Sequence, residues 1–82
     1  MKFYMVQRYS YVDFHTDNKF PTQELTFAFK YLRDKVKELE EEGIDIRWDG
    51  EESFQEYYQG FDEYTSVAVW SIEEFEFDKE ID

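Results

Sequence analysis

Eighty-two residues with a formal net charge of −12, no cysteine and a single histidine make one small domain with a thin core, and exclude disulfides, thiolate catalysis and Cys-type zinc sites. Acidity of this order argues against direct binding of DNA, RNA or anionic lipid, because affinity for phosphate comes from Lys and Arg. Acidic chains that stay disordered are poor in aromatics, whereas nine Phe, seven Tyr and two Trp supply 22% of this one, so a folded domain is expected, with some Tyr and Trp exposed or at an interface.

Along the chain, Phe3, Met5, Gln7, Tyr9, Tyr11 and Asp13 alternate with Tyr4, Val6, Arg8, Ser10, Val12 and Phe14, which predicts a strand over 2–14. Gln7 and Arg8 interrupt the apolar start before a signal-peptide core can form. His15 to Lys19 reads as a loop, closed by Pro21. Thr22 is placed to cap a helix, with Glu24 in its first turn. Leu25, Phe29, Leu32, Val36 and Leu39 repeat at helical spacing, widened by Ala28 and Tyr31, with Lys30, Arg33, Lys35 and Lys37 on the other face. Gly43 is the expected stop.

Ile44 to Trp48 alternates as a strand, and Asp49-Gly50 signals a turn. Glu51 to Phe61 reads as a return strand or as a short helix using Phe54, Tyr57, Tyr58 and Phe61; Gly60 ends it in both cases. Thr65 to Ile72 predicts a strand that continues through Phe75 and Phe77. No apolar run approaches the roughly 18 residues needed to span a bilayer. The expected fold is α+β. One amphipathic helix packs on a small, mainly antiparallel sheet of three to four strands, in the order β-α-β-(β or short α)-β, with the second sheet face wet or partnered.

The charge is split. Residues 1–39 are slightly basic overall, whereas residues 40–82 hold sixteen acids against Arg47 and Lys79. Like charges at this density oppose folding by self-repulsion and exceed what solubility requires, which points to a positively charged partner. Glu74, Glu76, Asp78, Glu80 and Asp82 alternate with Phe75, Phe77, Lys79 and Ile81. On a strand such carboxylates repeat about every 6.8 Å on one face, comparable to a row of nucleic acid phosphates. Glu40, Glu41, Glu42, Asp45, Asp49, Glu51, Glu52, Glu56, Asp62, Glu63 and Glu73 are candidates for further rows. Glu40 to Glu42 sit where a helix dipole disfavours anions, so they form either a solvated helix end or part of that surface.

Other constellations compete. Asp45 to Glu56 has the register of a twelve-residue calcium loop, with acids at positions one, five and twelve and Gly at six, but Arg47 replaces the third ligand. His15 beside Asp13 and Asp17 can form a general base, yet no nucleophile motif or phosphate-cradling loop accompanies it, so no enzyme activity and no cofactor are expected. Trp48, Tyr57, Tyr58, Phe61, Tyr64 and Trp70 are expected in the core, or in part as apolar anchors inside the acidic face.

In size, charge, lack of cysteine and the alternation Glu74-Phe75-Glu76-Phe77-Asp78, the chain resembles the small acidic host-takeover proteins of bacteriophages that mimic DNA, a group that includes an inhibitor of the nucleoid protein HU from a Bacillus phage. The resemblance implies a cytoplasmic inhibitor that blocks the basic surface of a bacterial nucleic-acid-binding protein: HU, a polymerase, a restriction or repair enzyme, or a CRISPR effector. An immunity-type inhibitor of one basic toxin or nuclease is the alternative. A homodimer through the spare sheet face is compatible with both.

Overall fold

A computed structural model of the chain describes residues 2–57 and 66–76. The alternation at the start forms strand β1, Lys2–Ser10. It ends sooner than expected, because residues 11–14 are a turn in which the Asp13 N–H donates to the Ser10 hydroxyl oxygen at 3.1 Å. Phe14 holds this turn at φ 53°, a left-handed conformation uncommon for a bulky residue, and its ring is 77% exposed. The segment expected to be a loop is instead strand β2, His15–Thr22, paired antiparallel with β1. It lies at an edge of the sheet, where Pro21 costs no central ladder bond.

Helix α1 runs Leu25–Glu41. Its N-cap is Glu24, with no side-chain cap, rather than Thr22. Thr22 ends β2, and its hydroxyl accepts the Glu24 N–H at 3.1 Å. The C-terminus stops as the sequence predicts. Gly43 takes φ 84°, its N–H donates to Glu40 C=O at 3.0 Å, and the Ile44 N–H donates to Leu39 C=O at 3.1 Å. That pair of bonds is a Schellman motif, which satisfies carbonyls the helix leaves over.

Strands β3 (Asp45–Trp48), β4 (Ser53–Tyr57) and β5 (Ser66–Glu76) follow. Of the ambiguous segment, Ser53–Tyr57 is a return strand. The five strands form one antiparallel sheet in the order β2-β1-β5-β4-β3, one or two strands more than expected, with α1 packed across one face.

Register decides what faces the helix. Val6 is opposite Ile72, Arg8 opposite Trp70, Phe54 opposite Trp70 and Ile46 opposite Glu56. From this face Val6, Phe54 and Trp70 meet Ala28, Leu32 and Val36 of α1 in the core, flanked by Tyr4, Phe20, Tyr31, Leu39, Ile46 and Ile72. Phe54 stacks on Trp70 at 5.7 Å between centroids, and Phe20 on Tyr31 at 4.9 Å. Trp48 departs from the core expected of it: it lies on edge strand β3, exposed, with its ring edge-on to Phe54. Tyr58, Phe61 and Tyr64 lie outside the described residues.

Candidate partner-binding surface

The hairpin joining β3 to β4 brings four residues, Asp49 to Glu52, to one end of the sheet. Asp49 N–H donates to Ser53 C=O at 2.8 Å. Gly50 sits at φ 85°, where a side chain would be strained. The Ile72 N–H donates to Glu52 C=O at 3.1 Å, which fixes this loop beside the end of β5. There Glu74 pairs in register with Tyr4, Glu73 with Met5 and Glu76 with Lys2. The N-terminus of α1 arrives at the same end, because Thr22 pairs with Tyr4. Asp49, Glu51, Glu52, Glu73, Glu74 and Glu76, all exposed, thus share one end of the molecule.

Alternation along β5 puts Glu74 and Glu76 on the helix side and Glu73 on the opposite face. Glu73 accepts a hydrogen bond from the Ser71 hydroxyl at 3.3 Å. Among the described residues one cation pairs with this group, Lys2, whose Nζ is 3.5 Å from Glu74 Oε1. Between the carboxylates of Glu52 and Glu74 lies a recess of about 170 Å³ with Tyr4, Leu25 and Ile72 as its apolar lining. The arrangement offers an excess of carboxylates over the single cation Lys2 around an apolar floor, a chemistry that suits the long cationic side chains of a partner protein.

The remaining candidates do not join this group. Glu40, Glu41, Glu42 and Asp45 are exposed, but they sit at the C-terminus of α1 and the start of β3, the opposite end of the strands. A 17-residue helix separates the two ends by about 25 Å. Asp62, Glu63 and Asp78 lie outside the described residues.

Glu56 is the clear correction. It was expected on the acidic surface, and it is buried at 4% exposure on the helix side of β4. Arg8 Nε–H donates to Glu56 Oε2 at 2.8 Å and Arg8 Nη2 to Oε1 at 3.4 Å. The indole N–H of Trp70 donates to the same Oε2. Glu56 is therefore an internal counter-ion. A signal for it was present in the alternation of β1, which placed Arg8 on the same face as Tyr4 and Val6. A guanidinium on a core-facing strand position requires an acid nearby.

The same burial removes the calcium register. Its first and twelfth positions, Asp45 and Glu56, lie on two antiparallel strands with Glu56 committed to Arg8, instead of converging in a loop. Among the described residues no three His, Cys, Asp or Glu side chains are placed to hold a metal ion. His15 Nε2 lies 3.0 Å from Asp17 Oδ1, and Lys19 Nζ lies 3.8 Å from the other oxygen. The pair sits exposed on the outer strand, away from the recess.

Outside the acidic end, the helix carries its own exposed bases, Lys30, Arg33 and Lys37. Lys35 folds inward, with Nζ 2.7 Å from Glu38 and within 5.6 and 5.7 Å of the Tyr31 and Trp70 ring centroids. The hydrogen bond to Glu38, with the nearby charge of Tyr31, Glu38 and Glu42, raises its pKa against a smaller loss from burial. No described helix is long and apolar enough to cross a membrane. Neither a family model, nor a curated protein, nor a solved structure matches the chain.

Proposed function

We propose that this protein is a non-enzymatic inhibitor that works as a DNA mimic. Its acidic end occupies the basic nucleic-acid-binding surface of a bacterial protein and excludes the nucleic acid from it. In this reading it binds no nucleic acid itself, needs no cofactor and acts in the bacterial cytoplasm, where such targets are found. The observation that carries the proposal is the exposed group of Asp49, Glu51, Glu52, Glu73, Glu74 and Glu76 at one end of the sheet, with Lys2 alone paired to it among the described residues. A folded chain accepts such unneutralised charge at a cost in self-repulsion, which binding to a cationic surface relieves.

Association through this end is fast and weakens steeply with salt, because the attraction is long-range. The test is displacement of labelled duplex DNA from a purified basic bacterial protein, with HU as the first probe and a polymerase and a restriction enzyme beside it. Displacement that fades as salt rises supports mimicry. Failure to displace DNA from any of them counts against it.

The recess lined by Tyr4, Leu25 and Ile72 favours a second reading, an immunity-type inhibitor of one basic toxin or nuclease. A shaped apolar centre confers selectivity that a row of charges lacks. Breadth separates the two: a mimic competes with DNA on several proteins, an immunity protein engages one.

A further inference from the structure

The face of the sheet turned away from α1 is unlike the rest of the molecule. Its in-register residues include Phe3, Met5 and Tyr9 of β1, Val69 and Phe75 of β5, and Tyr57 of β4. Phe3 stacks on Phe75 at 5.1 Å, and Arg47 lies over the Tyr57 ring at 4.8 Å. Between them are uncharged polar residues, Gln7 opposite Ser71 and Gln55 opposite Val69. Of the residues paired in register on this face, only Asp45, Arg47 and Glu73 carry charge, in a chain that is 37% charged. No described element packs over it.

We infer that this face joins two copies of the chain, sheet against sheet, in a homodimer. Composition supports an interface, because aromatic residues and Met are enriched, and Lys, Glu and Asp depleted, where proteins meet. Charge selects the occupant. A cationic target gains nothing from a face of net charge −1 when carboxylate-rich ends lie beside it. A second copy brings the same nearly neutral surface and, Glu73 apart, keeps the carboxylates of the acidic end on the helix side and in the β3–β4 turn, away from the contact. It is the one described face on which two chains of charge −12 meet with little local repulsion. Size agrees: five strands spaced about 4.8 Å apart, at roughly seven residues each, present a face of about 600 Å² in projection. That is of the same order as the roughly 800 Å² per partner of a standard interface. Sheets packed in this way lie about 10 Å apart.

This inference stands apart from what the acidic end binds, and salt separates the two. Screening relieves repulsion between two acidic chains, so the dimer tightens as salt rises, whereas binding to a basic target weakens.

The experiment is sedimentation equilibrium of the full chain from micromolar to submillimolar concentration, at low and high salt. The wild type is expected at twice the monomer mass, with tighter association at high salt. Val69→Lys places a charge at the centre of the contact and is expected to weaken the dimer by about 10-fold or more. Phe75→Lys, at an exposed position, provides the same test if Val69→Lys does not fold. Phe27→Lys, exposed on the helix side, leaves the dimer intact. A wild-type monomer across the whole range overturns the inference. So does a dimer that survives both open-face substitutions.

Discussion

Glu56 and Glu74 belong to the same acidic half of the sequence, sit on neighbouring strands and point to the same side of the sheet, yet they stand in opposite environments. Glu56 lies under α1, where Arg8 and Trp70 satisfy its carboxylate. Glu74 lies beyond the helix, half-exposed, with Lys2 at 3.5 Å as its partner. The difference teaches that charge in a sequence has no fixed meaning. Under the helix, water is excluded and a carboxylate must be paired or it destabilises the fold. A few residues along, solvent screens the charge, and an exposed pair such as Lys2–Glu74 contributes little to the fold.

Stripping Glu56 of its partner should have the largest effect. Arg8→Met leaves a buried carboxylate with the Trp70 N–H as its main remaining donor, and should cost about 3 kcal/mol, read as a shift of the urea unfolding midpoint. Adding Glu56→Leu to the same chain should recover much of that loss, since neither charge is then buried alone. Trp70→Phe is next. It keeps most of the ring volume but removes the indole donor, and should cost about 1–2 kcal/mol.

At the exposed end the expectation reverses. Glu73→Gln, Glu74→Gln and Glu76→Gln together should change stability by no more than about 0.5 kcal/mol, in the stabilising direction because repulsion falls. The same variant should bind a basic partner more weakly and with a shallower salt dependence. Smallest of all is the part-exposed Lys35–Glu38 pair. The hydrogen bond to Glu38 raises the Lys35 pKa, so its contribution is complete at neutral pH. It is lost only as pH rises into the alkaline range through that raised value. Glu38→Gln should weaken this alkaline dependence and lower stability near pH 7 by about 0.3 kcal/mol, as followed by thermal unfolding against pH.

Much of the fold was legible, for reasons that particular elements show. The stripe Leu25 to Leu39 and the stop at Gly43 predicted α1 because burial on one face and a left-handed cap each leave a local mark. The β-branched and aromatic run after Thr65 did the same for β5. β2 was illegible because His15–Thr22 is an edge strand: only a residue such as Phe20 packs against the core, and Pro21 with several turn-formers reads as loop. Segment 51–61 is ambiguous because Phe54 and Tyr57 stand three apart, as on one face of a helix, whereas on a strand they fall on opposite faces; the long-range pairing of Phe54 with Trp70 decides it for Ser53–Tyr57. Of the candidate site, the carboxylates of residues 49–52 and 73–76 were recognisable, but not that Glu40 to Glu42 and Asp45 lie at the other end. Their separation follows from strand direction, which composition does not carry. The role of Glu56 depends on a partner 48 residues away.

In the proposed function, the carboxylates at the end of β5 compete with DNA for a basic protein surface. The most direct measurement immobilises the wild-type protein and the Glu73→Gln, Glu74→Gln, Glu76→Gln variant side by side, exposes both to bacterial lysate and elutes each with excess duplex DNA. The account predicts that DNA releases a basic DNA-binding protein from the wild type, and that the variant holds far less of it. A partner that stays bound through the DNA wash, or that the variant captures equally well, would contradict the account.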